Sequence, residues 1–278
     1  MNTLQKRSLI LSIILAFQYG AMIQFPNSIF VLMFSMPLTI CVGLIYVFGL
    51  NIKKTELIDN LRFLILPALF NFGAVFFIRY MTQSIMAYVL VILAFLANFY
   101  LFIALKKVFN LEDRAAVFQR NIIISASFLS IFLSISAFYR FFVSYSADSK
   151  YKIPLIVIVI AVAGVFYLVS YFLAWENGID LKKYWPYNLV TSLMAAEVAW
   201  VSSIWIVNYP TFSSYEKANL GGTPLPAVIL VITFYFIWGV ISHKASRTLT
   251  KNVMFEYILL TIIFLAVLFL STKWLPQI

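Results

Sequence analysis

The sequence predicts an all-α fold: a polytopic transmembrane helix bundle of about nine spans (eight is the next reading) with a cytoplasmic N-terminus. Three observations predict it. First, only 11% of the 278 residues are charged and 63% are hydrophobic, whereas a soluble domain averages roughly 25% charged. So few charges cannot cover the surface of a soluble globule. A soluble enzyme, a nucleic-acid-binding domain and a disordered chain are therefore excluded. Second, apolar stretches near the ~20 residues that cross a hydrocarbon core recur nine times. Third, the basic residues concentrate in alternate loops.

Spans are expected at 8–25, 28–49, 62–79, 83–105, 121–143, 153–174, 188–208, 226–242 and 255–272, within one integral membrane domain covering 1–278. The first, SLILSIILAFQYGAMIQF, is short and interrupted by Gln18 and Gln24. Lys6 and Arg7 precede it as in a signal peptide, but no A-x-A-like cleavage site follows, so a retained first helix is expected. Pro26-Asn27-Ser28 reads as the turn that ends it. Pro37 and Pro67 fall inside spans two and three and predict kinks, which lipid-buried helices tolerate when neighbours re-satisfy the backbone. Between spans four and five, KKVFNLEDRAAVFQR places Val108, Leu111, Ala115 and Phe118 at spacings of three, four and three. That predicts a short helix along the cytoplasmic interface.

In span five, Ser127, Ser130 and Ser134 share a face. After span six, WENGIDLKKYWPY combines an Asn177-Gly178 turn with Trp175, Tyr184, Trp185 and Tyr187, rings that favour the headgroup level. Lys182, Lys183 and Trp185 are candidate lipid-headgroup anchors. The one long outer loop, 209–225, reads as a solvated connector or a binding lid. Span eight ends at His243, the only histidine, and span nine closes the series.

Charge sets the expected orientation. Basic side chains resist translocation and collect in cytoplasmic loops. With the N-terminus inside, 14 of the 20 Lys and Arg fall on the inner side and six on the outer. That bias also accounts for much of the net charge of +10 without nucleic acid.

Glu197 is the most informative single residue. It lies about ten residues from each end of span seven, roughly 15 Å from either interface at 1.5 Å per residue. No lysine, arginine or histidine lies near the centre of another span. The carboxyl is thus expected either to be neutral or to face a wet cavity. Asn71, Ser127, Ser130 and Ser134 offer hydrogen bonds at similar depth and complete the candidate functional polar site; helix packing is the alternative role for all five. Asn98 too lies in an apolar helix and needs a partner.

Catalytic signatures are missing from the sequence. One histidine excludes H-E-x-x-H and a His-rich metal site, and His243 lies far in depth from the mid-span serines that it would have to activate. The single cysteine, Cys41, permits no intramolecular disulfide and reads as a packing residue. No cofactor or metal site is expected. The run WENGIDLKKYWPYNLVTSLMAAEVAW, with short loops and an Ile/Phe/Lys-rich composition, resembles uncharacterised bacterial multi-pass membrane proteins; the resemblance implies a bundle in a bacterial inner membrane and brings no activity with it. The leading functional expectation is transport or binding of a small solute or lipid using a protonatable mid-membrane carboxyl. The alternatives are a non-catalytic structural or assembly component and, third, a membrane-embedded lipid-modifying enzyme. The expected partners are the bilayer and a small-molecule or lipid ligand, not nucleic acid.

Overall fold

The computed structural model describes residues 3–25, 29–48, 57–80, 85–109, 116–148, 155–208, 225–245 and 247–271. Among them the chain is all helix, with nine elements: α1 (Thr3–Gln24), α2 (Ile29–Phe48), α3 (Leu57–Tyr80), α4 (Ile85–Phe109), α5 (Ala116–Asp148), α6 (Leu155–Glu176), α7 (Leu181–Asn208), α8 (Leu225–Ala245) and α9 (Lys251–Ser271). The shortest has 20 residues, about 30 Å at 1.5 Å per residue. Six of the nine are long and apolar enough to cross a membrane: α1, α4, α5, α6, α8 and α9.

Each expected span corresponds to one helix, with shifted ends. α5 is 33 residues long and overruns its expected span at both ends. Of the segment 106–120, expected as a separate interfacial helix, Lys106 to Phe109 continue α4 and Ala116 to Arg120 begin α5, while 110–115, with Leu111 and Ala115, lie outside the described residues. Continuing α4 places Lys106 and Lys107 in its last turn, where cations meet the negative end of the helix dipole. The turn expected at 26–28 and nearly all of the loop at 209–225 also lie outside the described residues.

The chain divides into two compact units, Met1–Ser134 and Ile135–Ile278. In the first, α1 packs chiefly on α4 and α2. Ser8, Leu11, Ser12, Leu15, Tyr19 and Met22 form its buried stripe, at the three- and four-residue spacing of one helical face. The two glutamines that interrupt this span pair across helices. Gln18 Nε2 donates to Thr39 Oγ1 of α2 at 2.8 Å, and Gln24 Nε2 donates to Tyr88 Oη of α4 at 2.7 Å. Arg7 donates to the Tyr46 carbonyl at 3.2 Å and stands 5.1 Å from that residue's ring centre, tying the start of α1 to the end of α2. Cys41 is exposed on α2 rather than packed.

In the second unit, α6 and α7 form the closest helix pair, α8 packs on α7, and α9 packs on α8. Phe166, Phe234, Trp238 and Tyr184 make a chain of ring contacts through α6, α8 and α7, with centroids 5.2, 6.4 and 6.2 Å apart. α7 is inverted relative to a helix in water. Its buried face is small and polar (Asn188, Thr191, Ser192, Ala195, Ala199, Ser203). Its exposed face is large and apolar. Small residues let membrane helices approach closely, while lipid solvates the large ones.

Two turns share one design. α6 ends with the Ile179 amide donating to the Ala174 carbonyl at 2.9 Å and the Gly178 amide to Trp175 at 3.0 Å; Gly178 has φ +68°. This is the Schellman closure, which needs a left-handed residue after the helix cap. Asp180 then starts α7, its Oδ1 accepting from the Lys182 amide at 3.0 Å, as N-cap residues do. α8 ends likewise: Thr248 donates to the His243 carbonyl at 2.9 Å and Arg247 to Lys244 at 3.2 Å. Here, however, the left-handed residue is Arg247, at φ 58°. A non-glycine residue at such an angle costs about 1–2 kcal/mol. Arg247→Gly is therefore expected to stabilise the α8–α9 turn by about 1 kcal/mol, read as a rise in the thermal midpoint; an unchanged or lower midpoint would contradict it.

Candidate functional site

Asn71 lies at the heart of the first unit. Its Nδ2 donates to Asn98 Oδ1 at 2.9 Å and to the Pro67 carbonyl at 2.7 Å. Its Oδ1 accepts from Asn98 Nδ2 at 3.0 Å and from the Tyr19 hydroxyl. Asn98 Nδ2 also reaches the Ala94 carbonyl at 3.0 Å. The two amides thus face each other head to tail, with a phenol from a third helix on top. All three residues are fully buried. Every hydrogen-bonding position of the Asn71 amide is used. The knot joins α1, α3 and α4 and leaves Asn71 nothing to offer Glu197.

The serine row divides. Ser127, Ser130 and Ser134 are all buried on one face of α5, as the spacing predicts. Ser127 and Ser130 bend back to their own helix, to the carbonyls of Ile123 and Ala126 at 2.8 and 2.6 Å. Only Ser134 crosses, donating to the Leu69 carbonyl of α3 at 3.0 Å. That crossing is tight because α3 presents Gly73, where an added Cβ would lie 2.5 Å from the Ser134 backbone nitrogen.

Glu197 belongs to the second unit and is exposed. Ala195 and Ala199, two positions before and after it, are fully buried, so Glu197 lies about 200° round the helix from each. Its side chain points away from the packed face of α7. No described residue hydrogen-bonds or ion-pairs with it. Within the first unit Asn71 belongs to the α1–α3–α4 knot and Ser134 to the α3–α5 crossing, and Glu197 stands on an exposed face of α7 in the second unit.

Lys182, Lys183 and Trp185 are exposed in the first turns of α7, within helix rather than in the expected connecting loop. Lys183 Nζ lies 4.0 Å from Asp180 Oδ2, and Lys244 Nζ stands 5.4 Å from the Tyr187 ring centre. Just inside them the helix carries polar groups that sequence reasoning missed. The Ser170 hydroxyl donates to Asn188 Oδ1, while the Asn188 amide nitrogen and the Tyr184 hydroxyl are buried with no hydrogen-bond partner among the described residues. Burial pushes the Tyr184 phenol above its ordinary range and keeps it neutral.

A groove of the first unit lies elsewhere. A groove of about 500 Å³ opens along α1 and α4, lined by Ile13, Ala16, Phe17, Gly20, Phe95 and their neighbours. Its floor is small, Ala16 and Gly20 one turn apart, and an added Cβ at Gly20 would meet nothing within 4 Å. Phe17 and Phe25, 76% and 66% exposed, stand beside it. Gln24 and Tyr88 close one end with their mutual hydrogen bond. The groove thus has apolar walls and a single amide–phenol pair at one rim. The signal was present as Ala16-x-x-x-Gly20-x-x-x-Gln24, but only packing shows that this row faces open space.

Among the described residues no group of three or more His, Cys, Asp or Glu side chains could hold a metal ion. No protein-family model, curated protein or solved structure matches the chain.

Proposed function

We propose that this chain is a multi-pass protein of a cell membrane, the cytoplasmic membrane of a bacterium, that binds a lipid or lipid-like amphiphile from the side through the α1–α4 groove. The observation that carries this reading is the groove's polarity. Apolar side chains line its length, and the two hydrogen-bonding side chains lie together at one rim. An acyl chain fits such walls. A headgroup fits the rim, where Gln24 keeps a carbonyl oxygen and Tyr88 a hydroxyl proton to offer. With the N-terminus inside, Gln24 and Tyr88 reach the outer leaflet together, because α1 ends and α4 begins there. Lys182, Lys183 and Trp185 sit on the cytoplasmic side as anchors. The polar interior supports binding of an amphiphile over passage of a polar solute: its Asn71–Asn98–Tyr19 centre is closed on itself.

Gly20→Leu tests the reading. The new side chain grows into open space and gains helix propensity of about 1 kcal/mol, so it fills the groove while the fold holds. Native mass spectrometry of wild type in detergent with added phosphatidylethanolamine is expected to retain lipid. Gly20→Leu is expected to lose most of it, and Gln24→Leu to weaken it several-fold. Equal retention by wild type and Gly20→Leu would contradict the assignment.

A further inference from the structure

We propose that Tyr184 and Asn188 of α7 hold one ordered water molecule in a closed polar site against α6. The two residues stand four positions apart, so their side chains leave α7 on the same face, one turn from each other. Both are shut in, at 2% and 1% exposure. Asn188 Oδ1 accepts from the Ser170 hydroxyl of α6. That hydroxyl also lies 2.7 Å from the Phe166 carbonyl, so its single proton is already claimed. The Asn188 amide nitrogen and the Tyr184 hydroxyl have no hydrogen bond to each other or to any described residue. Neighbouring hydroxyls are engaged elsewhere: Thr191 and Ser192 turn back to the carbonyls of Tyr187 and Asn188 at 2.8 and 3.0 Å. The Tyr184 ring sits edge-on to Trp238 of α8, with centroids 6.2 Å apart, which holds the ring and its hydroxyl inside.

The orphaned atoms select the occupant. Buried donors find an acceptor, and where the protein supplies none a buried water does, making about three hydrogen bonds. Asn188 Nδ2, Tyr184 Oη and Ser170 Oγ supply that number from two helices. Either orientation of the Asn188 amide leaves one of its ends in the site, and water serves both because it donates and accepts. An acyl chain would leave both donors unpaired. A headgroup oxygen would have to draw its lipid past side chains that leave no opening. The stretches of this unit outside the described residues, 149–154, 209–224 and 272–278, adjoin the opposite helix ends. Ser246, in the α8–α9 turn, is the remaining side chain outside the described residues at the end where α7 begins, and serves as the control.

Two readouts on the full-length protein in detergent micelles test this. The first is magnetisation transfer from water to the Asn188 side-chain amide, in deuterated protein with nitrogen-labelled asparagine and with the signal assigned by its loss in Asn188→Leu. A cross-peak of the sign that marks a long-lived water is expected in the wild type. It is expected to persist, weakened, in Tyr184→Phe, where no relay through the phenol is possible. The second readout is the thermal midpoint. Tyr184→Phe keeps the ring and removes only the hydroxyl. Removing a dry, orphaned hydroxyl raises stability, whereas removing a water-bonded one lowers it, and a fall of about 2–4 °C is expected. Ser246→Ala is expected to change neither readout. No water cross-peak at the wild-type Asn188 amide, its complete loss in Tyr184→Phe, a raised or unchanged midpoint in Tyr184→Phe, or loss of the cross-peak in Ser246→Ala would each overturn the proposal.

Discussion

Asn71→Leu is expected to lower stability by about 3 kcal/mol. The substitution leaves the Tyr19 hydroxyl and both ends of the Asn98 side chain without their main partner in a buried interior, and each orphaned group costs roughly 1–3 kcal/mol. The net value of a polar pair between membrane helices is much smaller, averaging about 0.6 kcal/mol. The loss in the single variant therefore comes from stranded partners, not from a missing bond. Asn71→Leu with Asn98→Leu is then expected to lose less than Asn71→Leu alone, and adding Tyr19→Phe to recover more. Unfolding free energies measured by denaturing-detergent titration in mixed micelles read this directly. Additive losses would show three independent contacts instead of one closed network.

Gly73→Ala is expected to lose about 1–3 kcal/mol, the usual range for overpacking. The new methyl would meet backbone atoms of α5, the Ser134 nitrogen at 2.5 Å and the Leu133 carbonyl carbon at 2.6 Å. Backbone cannot rotate away, so α3 and α5 must separate, stretching the Ser134–Leu69 hydrogen bond. The control lies in the same unit. Gly20→Ala adds the same methyl to a helix where nothing stands within 4 Å, and is expected to gain about 0.5–1 kcal/mol from helix propensity. Opposite shifts of the thermal midpoint separate crowding from propensity; parallel shifts would contradict the close crossing.

Composition and period carried most of the architecture. Apolar runs of bilayer length locate every helix, and Asn177-Gly178 marks a turn whose glycine angle the structure requires. The serine spacing in span five places Ser127, Ser130 and Ser134 on the buried face. What the sequence could not carry is which side of a helix meets a neighbour. In lipid, apolar side chains suit both the packed and the outward face, so hydrophobic periodicity loses its power to orient. That is why Glu197, sensibly expected inside a bundle because burial in lipid is expensive, stands on the outer face of α7. It is also why Tyr19 went unnoticed between Asn71 and Asn98: nothing in the order of residues says that three polar groups on three helices share one depth and one point. The 106–120 pattern is ambiguous for a related reason: helical spacing does not tell a separate helix from the ends of two long ones, and its described flanks extend α4 and α5.

The most direct measurement is photolabelling with a phospholipid carrying a diazirine in its acyl chain, followed by mapping of labelled peptides. The account predicts adducts on α1 between Ile13 and Phe25 and on α4 between Tyr88 and Phe95, reduced several-fold in Gly20→Leu. Label spread evenly over the outward faces of all the helices, unchanged by Gly20→Leu, would mean that the groove only meets bulk lipid.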